Sequence, residues 1–318
     1  MLTYLLFIIG FVFLYYGANF LVDGASSVSR KLGIPPLIIG LTVVSFGTSA
    51  PELVVNILAA LKGSSELVIG NVLGSNVSNI LLILGVSGLI YEIKMHHGLF
   101  FKEIPYSLLA ILVLAFIAND AEIVGRGFSE IDRIDGLLLL TFFCIFIYYL
   151  ATSKPALFED RPDVAKMSVP MSSVYIALGI VGLGLGGHWI VNGALGISRA
   201  LNITEGFVGL TLVALGTSFP ELVTSVVAAL KKESDIVIGN VVGSNIFNIF
   251  FTLGITALIN PIVFDPSMNN FDMLMVMLAT LFLIATVMIG KKAIIQKGNA
   301  YGFLIMYVAY VAFLVYRG

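Results

Sequence analysis

The chain reads as an all-α polytopic membrane protein: ten transmembrane helices arranged as two inverted five-helix repeats. Three observations predict this class. Apolar residues make up 58% of the 318 positions and charged residues only 11%, and apolar stretches of membrane-spanning length recur from end to end. A polar, glycine-rich block is written twice, so that Glu52 and Glu221, Thr48 and Thr217, Ser75 and Ser244, and Asn79 and Asn248 are each 169 positions apart. The basic residues crowd onto alternate connectors, which sets how each copy enters the membrane. A net charge of −2 and a pI near 5.9 give no electrostatic case for nucleic acid.

Taken in order, residues 1–152 supply spans at about 2–24, 36–61, 67–90, 99–118 and 134–152, and residues 169–318 supply them at about 169–193, 204–230, 236–259, 271–290 and 300–316. The first span lacks a basic n-region and a small-residue cleavage site, so it is expected to be retained. The second carries Gly47-Thr-Ser-Ala-Pro-Glu52 and the third Gly70 to Asn79. His96 and His97 sit in a short charged connector, and Asp120 to Asp135 holds seven charges with acids in excess; both read as solvated loops. The fifth span holds the single cysteine, Cys144, which excludes an intramolecular disulfide and reads as apolar filler. Residues 153–168, with prolines and mixed charges, form the linker between halves. Trp189, in the sixth span, reads as an interfacial anchor. The seventh and eighth spans repeat the motifs as Gly216-Thr-Ser-Phe-Pro-Glu221 and Gly239 to Asn248, and the last two diverge. Residues 17–80 align on 186–249 without a gap, with roughly half the positions identical. No connector is long enough for a large regulatory domain.

Twelve of the 17 Lys and Arg residues fall on or beside the connectors after the odd-numbered spans. By the positive-inside rule the linker is cytoplasmic and both termini are outside, in a multi-pass protein of the cell membrane. Five spans is an odd number, so the second half enters in the opposite orientation, the architecture of many secondary transporters.

The repeated block has a definite chemistry. Pro51 and Pro220 lack the N–H that would bond the carbonyl of Gly47 or Gly216, four residues back. Irregular backbone at membrane depth is tolerated only where it lines a cavity or is covered by protein. A carboxylate at mid-membrane costs about 2.5–3.5 kcal/mol on the insertion scale and is a functional-site hypothesis by default. Freed carbonyls, Thr and Ser hydroxyls and Glu carboxylates form an all-oxygen set that suits hard cations such as Ca²⁺ and Na⁺. Ser75 and Asn79, like Ser244 and Asn248, are i and i+4 and share a helix face. Asn71, Asn76, Asn240 and Asn245 fall elsewhere on the helix, as interhelical hydrogen-bonding groups or as further ligands. Gly70 and Gly74, and Gly239 and Gly243, allow close helix approach. Two glutamates supply a charge of −2, which one Ca²⁺ neutralises; three Na⁺ in its place leave one net positive charge. Mutually exclusive occupancy within inverted repeats describes alternating-access antiport.

Gly-Thr-Ser-x-Pro-Glu with Gly-Ser-Asn-x-x-Asn, present twice, resembles the cation/calcium antiporter superfamily, specifically its prokaryotic sodium/calcium exchangers. The resemblance implies exchange of about three Na⁺ for one Ca²⁺ at a diamond of four sites between spans 2, 3, 7 and 8. It implies Glu52 and Glu221 as the main ligands of both ions, and Thr48 and Thr217 as backbone-carbonyl ligands of Ca²⁺. It gives Ser49 and Ser244 to an inner Na⁺ site and Ser218 and Ser75 to an outer one, completed by the carbonyls of Ser45 and Ala214. Spans 1 and 6 would slide across this core as the gate. Some relatives, the potassium-dependent branch among them, carry Asp where Asn248 stands; Asn at both 79 and 248 implies no potassium requirement. The Ca²⁺/H⁺ branch is the alternative: it typically has an acid close after the Gly-Asn pair, where this chain has Val72-Leu73 and Val241-Val242. A channel would need a continuous polar pore, and an enzyme a nucleophile with its base or metal. No cofactor is expected; the partners are the two ions and the bilayer. The sequence does not specify an oligomeric state and is compatible with a monomer.

Overall fold

A computed structural model describes residues 2–94, 97–120, 129–152, 167–200, 214–289 and 293–317. The first half contains α1 (Leu2–Leu32), α2 (Pro36–Thr48), α3 (Ala50–Leu61), α4 (Ser65–Ile90), β1 (Ile93–Lys94), α5 (His97–Ala118), β2 (Ser129–Ile131) and α6 (Arg133–Thr152). The second contains α7 (Val169–Ala200), α8 (Ala214–Thr217), α9 (Phe219–Leu230), α10 (Ser234–Ile259), β3 (Ile262–Phe264), α11 (Pro266–Ile289), β4 (Ile294–Ile295) and α12 (Lys297–Arg317). Seven described helices are long and apolar enough to cross a membrane, eight if the bent pair α2 and α3 is one span. The 22-residue α5 covers the fourth predicted span. The stretch 204–213 of the seventh, the linker residues 153–166, the loop 121–128, and His96 lie outside the described residues.

The described residues are helical apart from two short antiparallel ribbons in the connectors, where β1 pairs with β4 and β2 with β3. The sixth span keeps its expected apolar bounds, Val169–Gly193, within a helix of 32 residues, whereas α1 runs 31 residues and continues past the expected end of the first span near residue 24. The serines and Asp23 that follow the apolar run are tolerated in a helix, and α1 stops only before Gly33, at φ +65, and Pro35. At 1.5 Å per residue each helix is roughly 45 Å long, against about 30 Å of hydrocarbon, so each must tilt or project.

These two helices lie side by side and antiparallel. A β-carbon on Gly10 would sit 2.9 Å from the Gly186 carbonyl oxygen, and one on Gly179 would sit 2.6 Å from the Leu21 nitrogen. Gly17 likewise meets Leu183 at 2.8 Å, and Gly24 meets Ser172 at 2.8 Å. Rising numbers on α1 therefore meet falling numbers on α7. Gly10 and Gly17 are the 169-offset counterparts of Gly179 and Gly186, so the seam repeats itself about a pseudo-twofold axis. Trp189 turns its ring edge-on to Phe13 across the same seam.

Among the described residues, the polar contacts between connectors sort them into two groups. Arg30 pairs with Glu233 at 2.7 Å, Lys231 with Asp23 at 2.9 Å, and the Lys94 amide donates to Ser234 Oγ at 3.3 Å. Together with the β1–β4 ribbon, these join the ends of the odd-numbered spans. On the other side, Asn260 Nδ2 donates to the Ala60 carbonyl at 3.0 Å and the Val263 amide to Ser65 Oγ at 3.0 Å. Arg317 also pairs there with Asp272 at 3.3 Å.

Between the two ends lies the most buried part of the molecule, formed by α4 and α10, each followed by a connector strand. Gly239 rests on Gly40 of α2, where an added β-carbon would meet the Gly40 α-carbon at 2.7 Å, and Gly243 rests on Leu41 at 2.8 Å. The expected close approach is present there, while Gly70 has nothing within 4 Å among the described residues.

Candidate functional site

Both Gly-Thr-Ser-x-Pro-Glu runs break their helices where proline requires it. Ser49, at φ −86 and ψ 4, separates α2 from α3, which are bent by 45°. Ser218, at φ −81 and ψ 0, separates α8 from α9. Pro51 and Pro220 then occupy the first turn, where a missing N–H costs nothing, and Glu52 and Glu221 follow in that same turn. The break sets carboxylates at helix N-termini, whose dipoles favour negative charge, beside the carbonyl ends of α2 and α8, which favour cations.

Ser45, Thr48, Ser49, Glu52, Ser75, Asn79, Thr217, Ser218, Glu221, Ser244 and Asn248 are all at most 5% exposed, so the site is sealed within protein. Ala214 opens α8. Ser49 Oγ lies 2.8 Å from Glu221 Oε1 and 2.9 Å from Ser244 Oγ. With one proton, it donates to the carboxylate and accepts from Ser244. Ser218 Oγ and Ser75 Oγ, the counterpart pair, are 3.2 Å apart. The serine pairs named from sequence are therefore brought together, each across the interface between halves.

Each threonine hydroxyl bonds an asparagine of the other half. Thr48 Oγ1 donates to Asn240 Oδ1 at 2.9 Å, and Asn240 Nδ2 passes on to Ser225 Oγ at 3.0 Å. In the counterpart, Thr217 Oγ1 donates to Asn71 Oδ1 at 3.1 Å, and Asn71 Nδ2 to Asn56 Oδ1 at 2.8 Å. Asn71 and Asn240 are thus interhelical hydrogen-bonding groups. The Ser45 carbonyl takes the Ser49 amide at 2.9 Å and Thr48 Oγ1 at 3.3 Å. A ligand role for that carbonyl would compete with the Thr48 hydroxyl, which has Asn240 as its other acceptor.

Sequence reasoning missed Asn56 and Ser225. They are 169 apart and polar in apolar helices, a signal that was available. It also missed a second repeated pair of acids. Glu103 on α5 and Asp272 on α11, again 169 apart, are 2% and 8% exposed. Tyr149 donates to Glu103 at 2.6 Å and Tyr310 to Asp272 at 3.0 Å, each from the last helix of the same half.

Around Asn79 the α4 ladder widens, over Ser78–Ile83: the Leu84 amide bonds the Asn79 carbonyl five residues back, and Leu253 bonds Asn248 in the same way in the α10 segment Phe247–Thr252. Such π-type turns concentrate at functional sites, and here each contains one of the two predicted ligands.

Five buried acceptor oxygens in this core receive no hydrogen bond among the described residues: both of Glu52, Oε2 of Glu221, and the amide oxygens of Asn79 and Asn248. Native interiors pair nearly all such atoms. No group of three or more His, Cys, Asp or Glu is arranged to hold a metal ion among the described residues. The donor set is hard oxygen without imidazole or thiolate, which fits Ca²⁺ and Na⁺ and not a transition metal.

The sequence profile described as "Sodium/calcium exchanger protein" matches residues 2–152 and 171–316. The inner membrane protein YrbG of Escherichia coli is 36% identical over 283 residues, covering 87% of this chain and 86% of YrbG. The sodium/calcium exchanger MaX1 of Methanosarcina acetivorans is 31% identical, with 99% of each chain covered. A solved structure of the sodium-calcium exchanger NCX_Mj, soaked with 2.5 mM Na⁺ and 0.1 mM Ca²⁺, superposes with a TM-score of 0.83 at 30% identity, covering 98% of each chain.

Proposed function

The chain belongs to the sodium/calcium exchanger protein family, a multi-pass membrane cation/calcium antiporter, and on that premise we propose that it exchanges about three Na⁺ for one Ca²⁺ by alternating access. The observation that carries this is the set of five unpartnered buried oxygens centred on Glu52 and Glu221. Two buried carboxylates without cations are strongly disfavoured, and a divalent ion between them offsets both charges.

In this reading Ca²⁺ is held by Glu52, Glu221 and the carbonyls of Thr48 and Thr217, whose hydroxyls are occupied by Asn240 and Asn71. Na⁺ takes the same carboxylates, with Ser49 and Ser244 on one side, Ser218 and Ser75 on the other, and the carbonyls of Ser45 and Ala214; the amide oxygens of Asn79 and Asn248 serve either ion at the centre. The shared glutamates make occupancy by the two ions mutually exclusive, and exclusivity couples their fluxes. Ten spans in two inverted halves, 1–152 and 169–318, joined by a cytoplasmic linker at 153–168 with both termini outside, accord with the sorted connectors and the basic-residue count. The antiparallel α1–α7 pair, longer than the membrane is thick, supplies the moving element. With three Na⁺ against one Ca²⁺ a net positive charge crosses each cycle, so exchange is electrogenic.

Calcium uptake into vesicles containing purified protein tests the site. Glu52→Gln and Glu221→Gln should each abolish Na⁺-driven uptake while the protein still folds. Uptake near the unmodified level by either variant would overturn the assignment.

A further inference from the structure

Asn76 and Asn245, also 169 residues apart, have no assigned part in holding ions. They form a reciprocal clasp across the pseudo-twofold axis. Asn76 Nδ2 donates to the Asn245 carbonyl at 3.4 Å, and Asn245 Nδ2 to the Asn76 carbonyl at 3.3 Å. Their side-chain oxygens are thereby left to accept. Asn245 Oδ1 takes Asn79 Nδ2 at 2.9 Å, and Asn76 Oδ1 takes Asn248 Nδ2 at 3.2 Å. All four residues are at most 1% exposed.

The consequence lies in the geometry of an amide. Its oxygen and NH₂ lie on opposite sides of the Cβ–Cγ axis in one plane, so anchoring one decides where the other points. With the NH₂ of Asn79 and of Asn248 anchored, the oxygens face away from the clasp, and these are two of the atoms that accept no hydrogen bond. The α4 segment Ser78–Ile83 packs against α9, which carries Glu221, and the α10 segment Phe247–Thr252 packs against α3, which carries Glu52. An amide turned the other way would bring an N–H donor toward a carboxylate and take the place of a cation.

We propose that Asn76 and Asn245 are positioning residues that hold Asn79 and Asn248 with their oxygens toward the transported cations, each half orienting the other half's ligand. This rests on the ion-exchange reading of the central site. Asn245 acts on Asn79 and Asn76 on Asn248, and this crossed pattern separates orientation from general packing.

The test is a pair of double-mutant cycles read as half-saturating Ca²⁺ and maximal rate in vesicle uptake, with thermal melting of each variant measured in parallel. Asn245→Ala should raise half-saturating Ca²⁺ by about tenfold, the scale of one lost oriented polar contact, with a smaller change in maximal rate. In an Asn79→Ala background it should add less than twofold, and in an Asn248→Ala background it should keep its full effect. Asn76→Ala should show the mirror pattern. Asn245→Asp keeps the acceptor oxygen and adds charge of a sign that cannot weaken cation binding, so it should not raise half-saturating Ca²⁺; it also serves where the alanine variant does not fold. Equal additivity in both backgrounds, or a rise with Asn245→Asp matching that of Asn245→Ala, would overturn the proposal. Absence of any Na⁺-driven Ca²⁺ flux by the unmodified protein would instead overturn the exchange reading.

Discussion

At the scale of single residues, the geometry separates the roles of neighbours within one motif. Thr48 is expected to act through its carbonyl, so Thr48→Val should leave half-saturating Ca²⁺ within about threefold while costing about 1 kcal/mol of stability for the acceptor stranded on Asn240. Ser49 acts through its side chain on Glu221 and Ser244. Ser49→Ala should raise half-saturating Na⁺ severalfold in the same uptake assay. A Thr48→Val effect as large as that of Ser49→Ala would contradict this division. The candidate residues stand out in the sequence because their setting is apolar: a glutamate, two hydroxyls and a proline in mid-span are each costly there, and the 169-residue offset shows which residues correspond. Which helix faces meet is not legible in that way: spacing puts Asn240 on a helix, and only packing brings it to Thr48 Oγ1 at 2.9 Å.

At the scale of elements, the glycine seam between α1 and α7 is the most exacting contact. A β-carbon on Gly179 would stand 2.6 Å from backbone, with no flexible side chain to yield. Gly179→Val should therefore lower the melting temperature and stop exchange, whereas Gly184→Ala, with nothing within 4 Å, should leave transport intact. Normal transport by Gly179→Val would mean that the seam is not needed. Polar residues after residue 24 suggest an early end to α1, but its stop lies at Gly33 and Pro35, both visible in the sequence. The acid–tyrosine ties were hidden by divergence of the last helices, whose offset no longer keeps to 169. Tyr149→Phe leaves Glu103, 2% exposed, with neither oxygen hydrogen-bonded and should destabilise α5 against α6 by about 1–3 kcal/mol in thermal or denaturant unfolding. No loss of stability would show that Glu103 finds another partner.

At the scale of the whole molecule, composition alone reveals a helical, multi-pass membrane protein, and duplication and charge placement supply the expected topology. What they could not show was how connectors from different halves meet, because the strand pairs β1–β4 and β2–β3 join segments remote in sequence. The sorted connectors make a topological prediction. With Cys144 replaced by Ser, single cysteines at Glu92 or Ser234 should react with an impermeant maleimide from the cytoplasmic side only, and at Ser65 or Asp265 from the outer side only. Mixed sidedness within either pair would contradict alternating crossings.

Exchange of Ca²⁺ for Na⁺ at one site shared by Glu52 and Glu221 is decided by calcium uptake into protein-containing vesicles under clamped voltage, driven separately by an outward Na⁺ gradient and by a pH gradient. Saturable uptake with the Na⁺ gradient and none with the pH gradient alone is the predicted result; uptake driven by the pH gradient alone would contradict it.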